Sequence, residues 1–134
     1  MGSGLISAFL VEDRAELRAT LIEAMEEIAP LKFVGHAATE ADARAWLGAN
    51  TGTWDLAIID LFLSEGSGFG LLEQCQNRKA GQKVVVLTGY CQQNILHRCR
   101  ELGADKVFDK SRDVEKLVDF CKAHAATLGA TQTQ

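Results

Sequence analysis

Five short apolar runs punctuate the chain: Ile6 to Val11, Phe33 to Ala37, Leu56 to Ile59, Val84 to Leu87, and Val107-Phe108. Each is too short for a helix, and each predicts a strand. Between and after them apolar residues recur at helical spacing: Leu17, Leu21, Met25 and Ile28; Ala43, Trp46 and Leu47; Leu71, Leu72 and Cys75; Cys91, Ile95, Cys99 and Leu102; and Val114, Leu117, Val118, Cys121 and Ala125. The alternation predicts five β-α units in succession. Local signals agree at the joints, since Thr39 with Asp42 forms a capping-box pattern, Gly103 stands where a fourth helix would stop, and Ser111 or Asp113 can cap a fifth. The third and fourth runs are apolar almost throughout, as in central parallel strands covered by helices on both faces. Right-handed crossovers then make the fold class α/β, doubly wound around a parallel sheet.

Composition is consistent with one domain. The 134 residues are 47% hydrophobic and 24% charged, enough for a single real core. A formal net charge of -4 argues against a polyanionic partner such as nucleic acid, and no run approaches the roughly 20 apolar residues that span a bilayer. Cys75, Cys91, Cys99 and Cys121 lack zinc-site spacing and are expected to be reduced thiols of a cytoplasmic protein. Residues 1–4, Met-Gly-Ser-Gly, are set aside as an expression scar, 5–127 as the folded domain, and 128–134 as a flexible tail.

In an open α/β sheet, ligands sit beyond the carboxyl ends of the strands, where strand order reverses. The first strand ends in Glu12-Asp13, the third in Asp60, the fourth in Thr88-Gly89, and Lys110 follows the fifth. Taken singly, these are ordinary: a helix-capping acidic pair, a turn aspartate, a capping threonine, a solvated lysine. Taken jointly they converge on one edge of the sheet. Three carboxylates there would repel one another unless a cation joined them, and a set of hard oxygen donors selects Mg²⁺.

These residues carry a resemblance. From about Ile6 to Thr127 the chain resembles the receiver domain of two-component response regulators. It has the acidic pair Glu12-Asp13, an aspartate ending the third strand in Leu56-Ala57-Ile58-Ile59-Asp60-Leu61, Gly68 eight residues on, Thr88 followed by the small Gly89, and Lys110 after the fifth strand. The resemblance implies a flavodoxin-like three-layer sandwich of strand order 2-1-3-4-5. It implies that Asp60 accepts a phosphoryl group from a sensor histidine kinase or a histidine phosphotransfer protein, with Lys110 offsetting charge. Mg²⁺ would be held by Glu12, Asp13, Asp60 and the Phe62 main-chain carbonyl, and the phosphate by Thr88 and the Gly89 N–H. The output is then a surface of the fourth helix, fifth strand and fifth helix, read by a downstream target or effector domain, or by a second copy in a homodimer. A free-standing receiver, a relay shuttle and a piece of a longer regulator or hybrid kinase all remain open.

Three positions depart from the family pattern. The aromatic switch position three residues before the lysine is Val107, and strand alternation turns Phe108 to the opposite face. Ser111 replaces the proline that usually follows the lysine. Phe62 and Tyr90, two residues after Asp60 and Thr88, place rings beside the acyl phosphate and are expected to slow its hydrolysis. A degenerate receiver acting as a phosphorylation-independent interaction module is the alternative; the intact Asp60, Thr88 and Lys110 argue against it. A flavodoxin-like electron carrier would need a phosphate cradle where Glu12-Asp13 stand, and a haloacid-dehalogenase-like phosphatase a second aspartate where Phe62 stands. His36, His97 and His124 lie on separate segments without a shared site, and Trp46 and Trp54 are assigned to structure.

Overall fold

The computed structural model describes residues 5–132. Strands β1 (Ile6–Val11), β2 (Leu31–Ala37), β3 (Leu56–Ile59), β4 (Lys83–Thr88) and β5 (Lys106–Asp109) form one parallel sheet in the order 2-1-3-4-5. Helices α1 (Ala15–Ile28), α2 (Glu40–Ala49), α3 (Gly68–Gln74), α4 (Gln93–Glu101) and α5 (Val114–Gln132) connect and follow them. Runs that look continuously apolar in sequence divide their residues by alternation between two cores. Ile6, Ala8, Leu10, Leu56, Ile58, Val85, Leu87 and Phe108 pack with Met25 of α1 and Leu117 and Cys121 of α5. Phe9, Val11, Ala57, Ile59, Val84 and Val86 pack with Ala43 and Leu47 of α2, Leu71 and Leu72 of α3 and Cys99 of α4.

The expected alternation in β5 holds. Phe108 lies on the α1/α5 side, edge-on to Phe120 with ring centroids 6.0 Å apart, while Val107 packs with the α2/α3/α4 core. Trp46 is structural, stacked on Phe9 at 4.1 Å and lying over Gly35, where any Cβ would meet its indole. Opposite that stack the β1–β2 register shifts between Ala8 and Phe9, which leaves Val34 exposed on the edge strand.

Two joints behave as their residues predict, and one does not. Thr39 Oγ1 accepts the Asp42 N–H at 3.1 Å at the start of α2, and Gly103 takes φ +96° after α4, a conformation costly for residues with a Cβ. Before α5, neither Ser111 nor Asp113 caps the helix with its side chain. The Asp113 carboxylate instead accepts the Asp109 N–H at 2.9 Å, and Ser111 donates both its N–H (2.8 Å) and its hydroxyl (2.7 Å) to Asp109 Oδ1. Those donors hold the Asp109 carboxyl below the usual carboxylate range. The loop carrying Lys110 is thus tied by a carboxylate at the point where a proline was expected and is absent.

Helix α5 continues through Gln132, past the expected boundary at Thr127, and Leu128 packs against the α1/α5 core. The expected scar at residues 1–4 and the last two residues of the expected tail lie outside the described residues. Among the described residues no helix is long and apolar enough to cross a membrane.

Candidate functional site at the carboxyl edge of the sheet

Backbone hydrogen bonds continue the sheet one residue past the strands. The Glu12 N–H donates to the Ala37 carbonyl (3.0 Å), Asp60 N–H to the Val11 carbonyl (3.1 Å), and Lys110 N–H to the Thr88 carbonyl (2.9 Å). This places residues far apart in sequence at one edge with fixed backbones. Glu12, Asp13 and Asp60 each present a carboxylate oxygen, all within 4.8 Å of one another. Glu12 is 1% and Asp60 6% exposed.

Lys110 bridges the two buried acids. Its ammonium lies 2.6 Å from Glu12 Oε1 and 2.9 Å from Asp60 Oδ2. Burial alone would lower its pKa, but the hydrogen bonds and charges of Glu12 and Asp60 outweigh burial and raise it above the ordinary value. One ammonium still faces three carboxylates. The edge therefore keeps an excess of negative charge, with Asp60 Oδ1 left free of hydrogen bonds for a reacting or coordinating partner.

Several supporting groups carried no sequence signal. The Arg18 guanidinium donates to the Glu12 carbonyl at 2.8 Å, and the Arg14 N–H to Glu12 Oε2 at 3.1 Å, so α1 orients Glu12 from behind. In the β3–α3 loop, Ser64 donates both its N–H (2.7 Å) and its hydroxyl (2.6 Å) to Asp13 Oδ2. The Ser64 hydroxyl is the main reason that the Asp13 carboxyl is held below its usual range. Glu40 of α2 accepts the Ser67 N–H at 2.8 Å, anchoring the other side of that loop. Nothing in the spacing of Ser64 or Glu40 relative to Asp60 distinguishes them from surface residues.

Gly68 receives a physical reason here. Its N–H bonds the Leu61 carbonyl at 2.9 Å, and a Cβ would collide with the Asp60 carbonyl oxygen and lie 2.9 Å from both Ile59 Cγ2 and Leu61 Cα. Thr88 is wholly buried, with its Oγ1 accepting the Tyr90 N–H at 3.3 Å, and Gly89 has open space around it. The Phe62 and Tyr90 rings meet edge-on at 4.9 Å, both largely exposed, and Phe69 adds a third ring 6.1 Å from Phe62, beneath the Arg98 guanidinium. The histidines stay apart, as expected: His124 bonds the Asp55 carbonyl at 2.9 Å, and His97 faces Glu101 on the surface of α4. All four cysteines are free thiols, and burial pushes Cys75 up to about 11 and Cys121 to about 12, well away from reactivity.

Comparisons with known proteins address the family and the fold. The chain is 25% identical over 119 residues to the response regulator UvrY of Escherichia coli, covering 89% of this chain and 54% of that protein. It is 29% identical over 112 residues to the acid tolerance regulatory protein ActR of Rhizobium meliloti, covering 84% of this chain and 56% of that one. The chain thus spans about half the length of these curated relatives. Among solved structures, a DNA-binding response regulator of the LuxR family from Staphylococcus aureus superimposes with a TM-score of 0.78 at 17% identity, over 90% of this chain and 98% of that one, a likeness of fold. The family model for the response regulator receiver domain matches residues 8–122. That match runs through every strand end that contributes to the carboxylate cluster, and the chain accordingly belongs to the receiver domains of two-component response regulators.

Proposed function

We propose that Asp60 is the phosphoacceptor and that Glu12, Asp13, Asp60 and the Phe62 carbonyl hold Mg²⁺ beside it. Receiver domains bind Mg²⁺ at an acidic pocket and act as phosphoacceptors without a conventional enzyme role. The observation that carries the assignment is the Lys110 ammonium shared between Glu12 and Asp60 beside a third carboxylate. The cluster fits the metal, since its donors are hard oxygens and its charge exceeds what one lysine balances. When bound, Mg²⁺ supplies positive charge to the equatorial oxygens of the transferring group.

The chain's own groups do the rest. Asp60 Oδ1 attacks phosphorus in line; a P–O bond forms as the donor's P–N bond to a histidine breaks, and the donor ring, already protonated on its other nitrogen, leaves as neutral imidazole. Lys110, already within 2.9 Å of Asp60, stays beside the new acyl phosphate and offsets its charge. Thr88 Oγ1 is held only by the Tyr90 N–H, and it turns to donate to a phosphate oxygen, with the Gly89 N–H as a second donor. Val107 has no ring to follow that turn, so coupling to the surface of α4, β5 and α5 runs through the β4–α4 loop itself. The donor is a sensor histidine kinase or histidine phosphotransfer protein, and the output a downstream protein or effector domain.

The test is intact-mass spectrometry after incubation with Mg²⁺ and acetyl phosphate or phosphoramidate. One added phosphoryl group is expected, absent from Asp60→Asn and from metal-free samples. No adduct, together with no binding of beryllofluoride, would refute the assignment.

The slow intrinsic loss of that phosphate is part of the same reading. The Phe62 and Tyr90 rings, two residues after Asp60 and Thr88, pack against one another, and in this reading they hinder the approach of an in-line water. Phe62→Asn is expected to shorten the phosphorylated half-life severalfold, followed by the decay of the mass adduct after donor removal. An unchanged half-life would remove the rings from the account.

A further inference from the structure

The β3–α3 loop connects Asp60 to α3 and would carry the Phe62 carbonyl toward the metal; Leu61 and Leu63 pack in the α2/α3/α4 core, while Ser64, Glu65 and Gly66 form an exposed tip. The loop is held at two points by carboxylates from other elements. Glu40 of α2 accepts the Ser67 N–H, and Asp13 of the β1–α1 loop accepts two hydrogen bonds from Ser64. Between these points Gly66 turns the chain at φ +92°, close against Glu40.

The Ser64 contact spends both donors of one residue on a single oxygen, Asp13 Oδ2, at 2.7 and 2.6 Å, as Ser111 does on Asp109. Distances this short mark charge-assisted bonds to an ionised carboxylate. They restrict the rotation of the Asp13 side chain, which presents a carboxylate oxygen within 4.8 Å of oxygens of Glu12 and Asp60. The same contact ties down the loop two residues after Phe62, whose own backbone is bridged to Ser67. A single serine thus links the loop that carries Phe62 to the Asp13 carboxylate of another loop.

We infer that Ser64 is a positioning residue for the divalent cation, orienting Asp13 and the β3–α3 loop before the ion arrives. The inference rests on the Mg²⁺ reading above. The physical reason is preorganisation: a flexible carboxylate and a loose carbonyl must both be ordered on binding, and prior hydrogen bonds remove that cost from the metal. Asp13 is only partly buried, so with the hydroxyl gone its carboxylate keeps just one of its two Ser64 bonds, that of the N–H.

The experiment is calorimetric titration of the intact protein with Mg²⁺, comparing the parent with Ser64→Ala and Ser64→Thr. Urea unfolding of each in the absence of metal runs alongside. Ser64→Ala is expected to weaken Mg²⁺ binding about tenfold with little change in the urea midpoint, and Ser64→Thr, which keeps the hydroxyl, to bind within about twofold of the parent. A purely structural serine would shift the urea midpoint and leave the affinity ratio near one. Unchanged or tighter Mg²⁺ binding by Ser64→Ala overturns the inference while the metal site stands. No Mg²⁺ binding by the parent overturns both.

Discussion

Lys110→Met is expected to lower the unfolding midpoint of the metal-free protein and to slow phosphorylation about a hundredfold or more, while Mg²⁺ restores part of the lost stability and none of the lost rate. The side chain is mostly buried and bonds two acids that are 1% and 6% exposed. Removing one member of a buried ionic cluster leaves the others uncompensated, at a cost of about 3 kcal/mol. For a domain of this size that corresponds to roughly 10 °C in midpoint. Because Mg²⁺ binds the folded state, saturating ion offsets part of the deficit by mass action. Loss of a fixed charge beside the transferring group costs about a hundredfold or more in rate, read as the initial rate of adduct formation with acetyl phosphate.

The pH dependence has a definite sign. The folded pKa of Lys110 is raised above 10.5 by its two partners despite burial, so its stabilising contribution is complete at neutral pH and is lost as pH rises through the folded value. Asp13 is the opposite case. Its folded pKa lies below 3.8, so its contribution is present above that value and is lost on further acidification. Urea midpoints of the metal-free parent and Lys110→Met should therefore converge as the pH is raised through the lysine's elevated folded value. A gap that persists there would assign the lysine's role to packing of its stem.

Gly68→Ala is expected to cost about 2–3 kcal/mol and to depress phosphorylation together with stability. The atoms a methyl group would meet are the Asp60 carbonyl, the Leu61 Cα and Ile59 Cγ2. Two of these are backbone and cannot rotate away. Relief requires the start of α3 to lift from the end of β3, which breaks the Gly68 N–H bond to Leu61 and moves the backbone of Asp60 itself. Gly89→Ala is the contrast, since nothing lies near its Cβ position. Equal urea midpoints for parent and Gly68→Ala would show that the β3–α3 junction is more compliant than its contacts suggest.

Apolar period and chain order alone carried the doubly wound fold to its five strands, because a strand covered on both faces must be apolar throughout and a helix between parallel strands must cross over right-handed. The same reading located Glu12, Asp13, Asp60 and Lys110, since residues that end parallel strands share one edge whatever their separation in the chain. Other features lay beyond local pattern. Ser64 and Glu40 are ordinary surface types until the loop folds back onto α1 and α2, and only then do their hydrogen bonds reach Asp13 and Ser67. The α5 entry reads as a side-chain cap, yet Asp109 captures Ser111 and the Asp113 carboxylate turns to the Asp109 N–H, because a carboxylate at a strand end is nearer to those donors than the helix is. The five β-α units and their edge chemistry follow from periodicity and chain order, while strand order came with the family resemblance; which surface polar groups become partners is decided by loop closure, and only the tertiary structure contains it.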